Sequence, residues 1–366
     1  MKDVCWIKRR GEIILKRIFT LAAAVLLLIT LTLAGCSGGS SNQSAKELLQ
    51  EAYTKSSDIT SSKFDGSMKL NLDLPDSVME DPDAAMVLNL LNNAELTFRG
   101  TSQLDPMMAE LFLTAGIKGD MPMEINLSML VTEETMWVKI PNIPFLPIPA
   151  EVAGKYLEID FAELSELAGE EIANIDPELQ QQYQELGAEI MDLFFGAYDE
   201  EEYFAKVSKK DANIPTDVNA DEVVKFELTN DNLRPFVETF IEILPDLLDK
   251  LSEVEEAGIN QADIDSMKSE IEASKAEIEE GLDTIEEAVD INEATIITAL
   301  KDGYITYSAF NVSVDVTNEG ETGTLGFEIV MNQKDINKEQ SFEISEPGSS
   351  EVITLEELMG SIFGEF

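Results

Sequence analysis

From Phe64 to Leu74 apolar and polar side chains alternate, with Phe64, Met68, Leu70, Leu72 and Leu74 set against Asp65, Ser67, Lys69, Asn71 and Asp73. A period of two places successive side chains on opposite faces, so the segment predicts a strand with one dry and one wet face. The pattern returns. Leu96 and Phe98 alternate with Glu95, Thr97 and Arg99, and Met123, Ile125, Leu127, Met129 and Val131 alternate with Glu124, Asn126 and Ser128. Met136, Val138 and Ile140 follow, then a shorter strand over 156–159. Late in the chain Phe310, Val312, Val314 and Val316 lead into the turn Asn318-Glu319-Gly320, and Leu325, Phe327, Ile329 and Met331 answer on the far side. Residues 342–344 are expected to add a last strand. Consecutive one-sided strands with short connections predict an antiparallel meander.

Helical signals separate the two groups of strands. Ser44 and Glu47 form a capping box for a helix whose apolar stripe is Ala45, Leu48, Leu49, Ala52 and Tyr53. Helices are expected over 160–173, 177–195 and 199–206, a strand over 223–228, and a long helical stretch within 231–300. The first half of that stretch carries Leu233, Phe236, Val237, Phe240, Leu244, Leu247, Leu248 and Leu251. After a break at Gly258, Ile264, Met267, Ile271, Ile278, Leu282, Ile285 and Val289 form a narrower stripe. Such spacing, with Glu and Lys between, predicts an acidic antiparallel helical hairpin. A terminal amphipathic helix covers 355–363. Strands at both ends with helices between them predict a single α+β domain over 44–366.

Before that domain stands a different kind of segment. Lys8, Arg9, Arg10, Lys16 and Arg17 precede an unbroken apolar run from Ile18 to Leu33. Small residues at a cleavage point complete the layout of a secretory signal over residues 1–35. Leu33-Ala34-Gly35-Cys36 resembles the lipobox of bacterial lipoproteins. The resemblance implies cleavage before Cys36, acylation of that residue, and attachment to the outer face of the cytoplasmic membrane, with a Gram-positive envelope favoured. Ser37-Gly38-Gly39-Ser40-Ser41 then reads as a flexible tether, 36–43.

Charge and cysteine usage narrow the function. The chain has 72 Asp and Glu against 25 Lys and Arg, a formal charge of −47. Removal of a basic leader makes the remainder more acidic still. Nucleic acid is thereby excluded as a partner, because phosphate binding needs clustered cations. Cys5 falls in the leader and Cys36 at the anchor, so no disulfide is expected in the domain. The chain contains no histidine, which removes histidine-based catalysis and histidine metal sites. Asp217-Val218-Asn219-Ala220-Asp221 begins like a calcium loop but has Glu222 where glycine is needed and Leu228 where a glutamate belongs. Acidic pairs such as Glu170/Glu171 and Asp263/Asp265 carry no sign of the unequal environments that carboxylate catalysis needs. No enzyme activity, metal or cofactor is expected.

What remains is an apolar cavity. Nine of the 14 methionines lie between residues 68 and 136, and methionine adapts to ligands of variable shape. Asp83 is placed to cap a short helix bearing Met86, Val87, Leu90 and Leu91. Residues 141–149 carry four prolines with Ile143, Phe145, Leu146 and Ile148, an apolar loop that is either buried or facing a ligand, lipid or partner. The expected lining is Met68, Leu70, Leu72, Leu96, Phe98, Ile125, Leu127, Met129, Phe145 and Leu146.

The order of these features resembles that of the LolA-like and LppX-like lipoproteins, including Gram-positive relatives of unassigned function. The resemblance is carried by the lipobox at Cys36 and by the first helix running into Lys63-Phe64-Asp65-Gly66-Ser67-Met68. Further along, Met136-Trp137-Val138-Lys139-Ile140-Pro141, Gly154-Lys155-Tyr156-Leu157-Glu158-Ile159-Asp160 and Gly303-Tyr304-Ile305-Thr306 carry it. It implies a curved antiparallel sheet, an incomplete barrel, with helices over its concave apolar face, and a lipid or lipid-linked molecule bound between them. The competing expectation is an interaction lipoprotein with a filled core and the acidic helices as a docking surface. A transporter-linked solute receptor is disfavoured, since that class has two domains with parallel sheets.

Overall fold

The computed structural model describes residues 43–363 apart from 76, 78, 79, 81, 119–121, 142–147, 150, 169–176, 252–260 and 319. Cys36, the lipobox and most of the tether, along with Phe145, Leu146, Glu170, Glu171 and Gly258, lie outside the described residues.

The chain opens with α1 (Ala45–Ser56), where both hydrogen bonds of the capping box are made. Strand β1 (Ser61–Asp73) follows, then α2 (Pro82–Asn92), β2 (Ala94–Leu104), β3 (Met107–Ile117), β4 (Met123–Thr132), β5 (Thr135–Lys139) and β6 (Tyr156–Asp160). Next come α3 (Phe161–Ala168), α4 (Pro177–Ala197), α5 (Glu200–Tyr203), β7 (Phe204–Lys206), β8 (Glu222–Glu227), α6 (Leu233–Leu251) and α7 (Gln261–Ala288). The chain closes with β9 (Val289–Lys301), β10 (Tyr304–Asn318), β11 (Glu321–Lys334), β12 (Val352–Ile353) and α8 (Leu355–Phe363).

The strands form one large, curved, unclosed sheet in the order β12-β6-β5-β4-β3-β2-β1-β11-β10-β9-β8-β7. Every pairing is antiparallel except β12 with β6. Asp302 and Gly303 close the β9–β10 turn with φ of 54° and 80°, the left-handed pair that lets a two-residue hairpin follow the strand twist. Register shifts between Ile305 and Tyr307 and between Ser313 and Val314 mark bulges in this pair, and bulges bend a sheet.

Three expectations are corrected and one strand is added. Residues 289–300 are not helical: α7 ends at Ala288 and β9 begins at the next residue. Its Ile- and Thr-rich run suits a strand paired on both edges, by β8 and β10. The helix expected over 199–206 is a single turn, α5, after which Phe204–Lys206 joins the sheet edge. Strand β3 is the addition, paired between β2 and β4 where the sequence shows no alternation. Residues 342–344 are not a sheet strand; they belong to a strap that crosses the sheet.

That strap runs from the end of β11 to β12. Asn337 holds its start, donating to Asp58 O and accepting from Thr60 N at 2.7 Å. Glu343 forms a two-pronged ion pair with Arg99. Beyond it the carboxylate of buried Glu110 accepts from the backbone N–H of Glu343 and of Ile344, at 2.8 and 2.9 Å. Ile344 packs with Leu130 and Trp137. The strap thus ties β1, β2, β3 and β4 together from one side, before β12 pairs with β6.

Candidate functional site: one apolar sheet face

The register decides which side chains share a face, because directly opposed residues in an antiparallel pair point the same way. Met68 opposes Leu96 across β1–β2, and Leu96 opposes Ala115 across β2–β3. Ala115 opposes Ile125, Leu113 opposes Leu127, and Leu111 opposes Met129 across β3–β4. On the other side of β1, Leu70 opposes Phe327 and Leu72 opposes Leu325, and Phe327 in turn opposes Val312. Eight of the expected lining residues, Met68, Leu70, Leu72, Leu96, Phe98, Ile125, Leu127 and Met129, therefore fall on one face. Val138 and Leu157 continue it across β5 and β6. The opposite face carries Asp65, Lys69, Thr97, Arg99, Glu110 and Asn126.

The apolar face is covered unequally. Over β7 to β10 it is sealed: Val224, Phe226, Ile305 and Leu300 are buried in one cluster with Leu48, Leu49 and Ala52 of α1 and Phe195 of α4. Aromatic rings fill this end. Tyr198 stacks on Phe236 of α6 at 4.7 Å between centroids, and Tyr203 on Phe226 at 6.0 Å. Burial pushes the Tyr198 hydroxyl far above its usual range. Tyr203 is pushed up to about 12, by burial first and then by the nearby Glu202 and Asp199 carboxylates.

From β11 through β1 to β4 the same face is only half covered. Met68, Leu72, Leu96, Phe98, Leu111, Leu113, Ile125, Leu127 and Met129 are all half-buried, and Leu70 is exposed. Aromatics fill the gaps beside two glycines. A Cβ on Gly66 would collide with the ring of Phe98, and one on Gly100 with the ring of Phe64. The two rings thus lie flat over neighbouring strands, which smooths the face.

The helical segments α6 and α7 are joined at two places. Arg234 of α6 bonds Asp283 and Glu286 of α7 at 2.6 and 2.7 Å, and Lys268 of α7 pairs with Asp249 of α6. Arg234 holds the Glu286 carboxyl below its ordinary range. Ile264 and Leu282 are buried while Met267 is exposed.

On the polar face a depression of about 370 Å³ is lined by Asp65, Ser67, Thr97, Arg99, Phe112 and Asn332 among others. Arg99 sits 3.9 Å from the Phe112 ring centroid, and Asp65 accepts from both Asn332 and Lys334. Of these groups Asp65, Arg99 and Asn332 are partnered within the protein.

Asp221, part of the calcium-like loop, is engaged by the Lys301 ammonium and the Asp302 N–H. That N–H above all, with Lys301, holds its carboxyl below the usual range. Among the described residues no group of three or more Cys, Asp or Glu is arranged to hold a metal ion. No helix among them is long and apolar enough to cross a membrane.

Comparison with known proteins adds no assignment: no family model matches the chain and no curated protein matches it.

Proposed function

We propose that this chain is a membrane-anchored extracytoplasmic lipoprotein that binds a lipid or lipid-linked molecule against the half-covered part of its apolar sheet face. The observation that carries the reading is the contrast along that face. Where α1, α4 and α6 pack, apolar residues are sealed, Val224 to 0% exposure. From β11 to β4 an equally apolar surface is left half-buried, although a face of this extent costs free energy while water reaches it. An acyl chain laid there would gain on the order of 0.8 kcal/mol for each methylene buried.

In this reading the curved sheet is an incomplete barrel of the LolA-like and LppX-like kind, with its apolar face concave. The covering layer is α1, α4 and α6, and α6 with α7 forms the acidic helical hairpin. Cys36, freed by cleavage after Leu33-Ala34-Gly35 and acylated, holds the protein at the outer face of the cytoplasmic membrane. Phe145 and Leu146 would complete the lining. The chemistry is binding, not catalysis.

A titration of the full chain with a fluorescent fatty acid tests the reading. Saturable binding is expected, and Leu127→Trp, which fills the space while remaining apolar, is expected to weaken it at least tenfold. Equal binding by both proteins overturns the assignment of this face.

A further inference from the structure

Helix α2 leads from the end of β1 to the start of β2, and it is packed in an unusual sense. Leu88 is buried, whereas Met86, Val87 and Leu90 are 67%, 51% and 48% exposed. Positions 86, 87 and 90 share one side of a helix, so α2 turns an apolar stripe away from the protein. The helix is nonetheless held in place. The Asn92 side chain accepts from Leu72 N at 2.6 Å and donates to Leu72 O at 2.7 Å, occupying the edge of β1 that β2 no longer covers. Leu70 and Leu325, at the same end of the half-covered face, are also exposed. The apolar rim therefore lies at the same end of the sheet as these exposed residues.

We infer that this rim enters the outer leaflet of the membrane to which the protein is tethered, placing the open end of the apolar face against lipid. The inference rests on the lipoprotein reading above, and tether length supports it. The start of α1 is fixed against α5, the Ala45 N–H donating to Glu200 at 2.8 Å, beside the β7 edge of the sheet. The eight residues 36–43 span at most about 29 Å when extended. Five strand spacings separate β7 from β1, about 24 Å across the sheet, and the step from Met68, level with Phe204, to Asp73 adds about 17 Å along β1, about 29 Å in all. An anchor at Cys36 thus allows α2 to reach the bilayer. Charge points to apolar insertion. Lys69 and Lys118 both bind Glu95 at this end, while exposed Asp73, Asp83 and Glu124 offset them. Neutral lipid should therefore serve as well as anionic lipid, and salt should matter little.

The test uses the full lipidated chain in phosphatidylcholine vesicles containing a brominated phosphatidylcholine, which quenches tryptophan within the bilayer. Val87→Trp is compared with Lys210→Trp, an exposed position on a loop far along the chain, each corrected for the parent protein. Quenching of the residue-87 signal by half or more, unchanged in 0.5 M salt and absent at residue 210, is the expected result. Adding Met86→Glu and Leu90→Glu should abolish that quenching while the protein still floats with the vesicles. If the chain floats but residue 87 is not quenched, the rim does not enter lipid, and the inference fails while the anchor reading stands. A protein adduct captured from a photoreactive residue at position 87 in cells, without quenching, would assign the rim to a protein partner instead. A chain that does not float at all overturns both.

Discussion

Phe98 on β2 lies over Gly66 on β1, so that the ring occupies the place of the side chain that glycine lacks. Phe64 and Gly100 repeat the arrangement one step along the same two strands. The alternation of large and absent side chains keeps the centre of the apolar face level. A Cβ at Gly66 also meets the carbonyl oxygen of Val330, which cannot move without breaking the ladder. Gly66→Ala should destabilise the protein by about 2 kcal/mol in urea unfolding, within the range for overpacked interiors. Gly116→Ala, whose added Cβ meets only Glu95 O at 3.8 Å, should be near neutral. Equal losses would contradict the packing described.

The strap depends on Glu110. Its carboxylate, 2% exposed, is shared by the N–H groups of Glu343 and Ile344. Glu110→Ala leaves both donors without that acceptor, and should cost about 3 kcal/mol, since bonds to a charged group are each worth roughly 1.5–3. Hydrogen exchange should accelerate first at residues 343–353. Glu110→Gln, which keeps one acceptor oxygen, should lie between.

The outer ion pair behaves differently. The Arg99 guanidinium holds the Glu343 carboxyl below the ordinary carboxylate range, so its contribution is present at neutral pH and lost as pH falls below about 4. Both groups are solvent-exposed, so Arg99→Met should shift the unfolding midpoint much less than Glu110→Ala. Protection from exchange at 343–344, corrected for the intrinsic rate, should fall on acidification in the parent protein, and fall less in the Arg99 variant.

Alkaline pH acts at the sealed end of the sheet. Tyr198, Tyr203 and Tyr307 all have raised pKa values, chiefly through burial. A tyrosine raised in the folded state contributes stability that is complete below pH 10 and declines as pH rises toward the folded value, about 12 for Tyr203. Absorbance titration at 295 nm should show Tyr198, Tyr203 and Tyr307 ionising late, with stability falling over pH 10–12. Tyr198→Phe, which keeps the stack on Phe236 but loses the hydroxyl bond to Phe236 O, should remove part of that decline.

The difference between what the sequence discloses and what it conceals follows the number of covered faces. Strands β1, β2 and β4 were legible because one face is apolar and the other wet. Strand β3 reads Leu111-Phe112-Leu113 without alternation, because Phe112, on the polar face, is itself covered by Arg99 and lies beside the cluster of Leu130 and Trp137. Strand β9 hides for the same reason: Ile296 packs with the α1 cluster and Ile297 with the cluster on the other face. It also follows α7 with no glycine or proline to mark the change. Residues 342–344 do alternate, yet the amides of Glu343 and Ile344 go to a side-chain carboxylate rather than to a strand. The shared face of residues 68–72 and 125–129 was readable as two separate stripes; only the intervening register shows that they adjoin. The exposed stripe of α2 was visible as apolar residues, but not its outward orientation.

The central claim is that the half-covered stretch from β11 to β4 holds a lipid. Native mass spectrometry of the full chain released gently from membranes, with organic extraction and lipid analysis of the same sample, tests this most directly. The account predicts about one non-covalent lipid for each chain, and its loss in the Leu127→Trp variant. A preparation that is lipid-free by both methods and that also fails to bind fatty acid would contradict it.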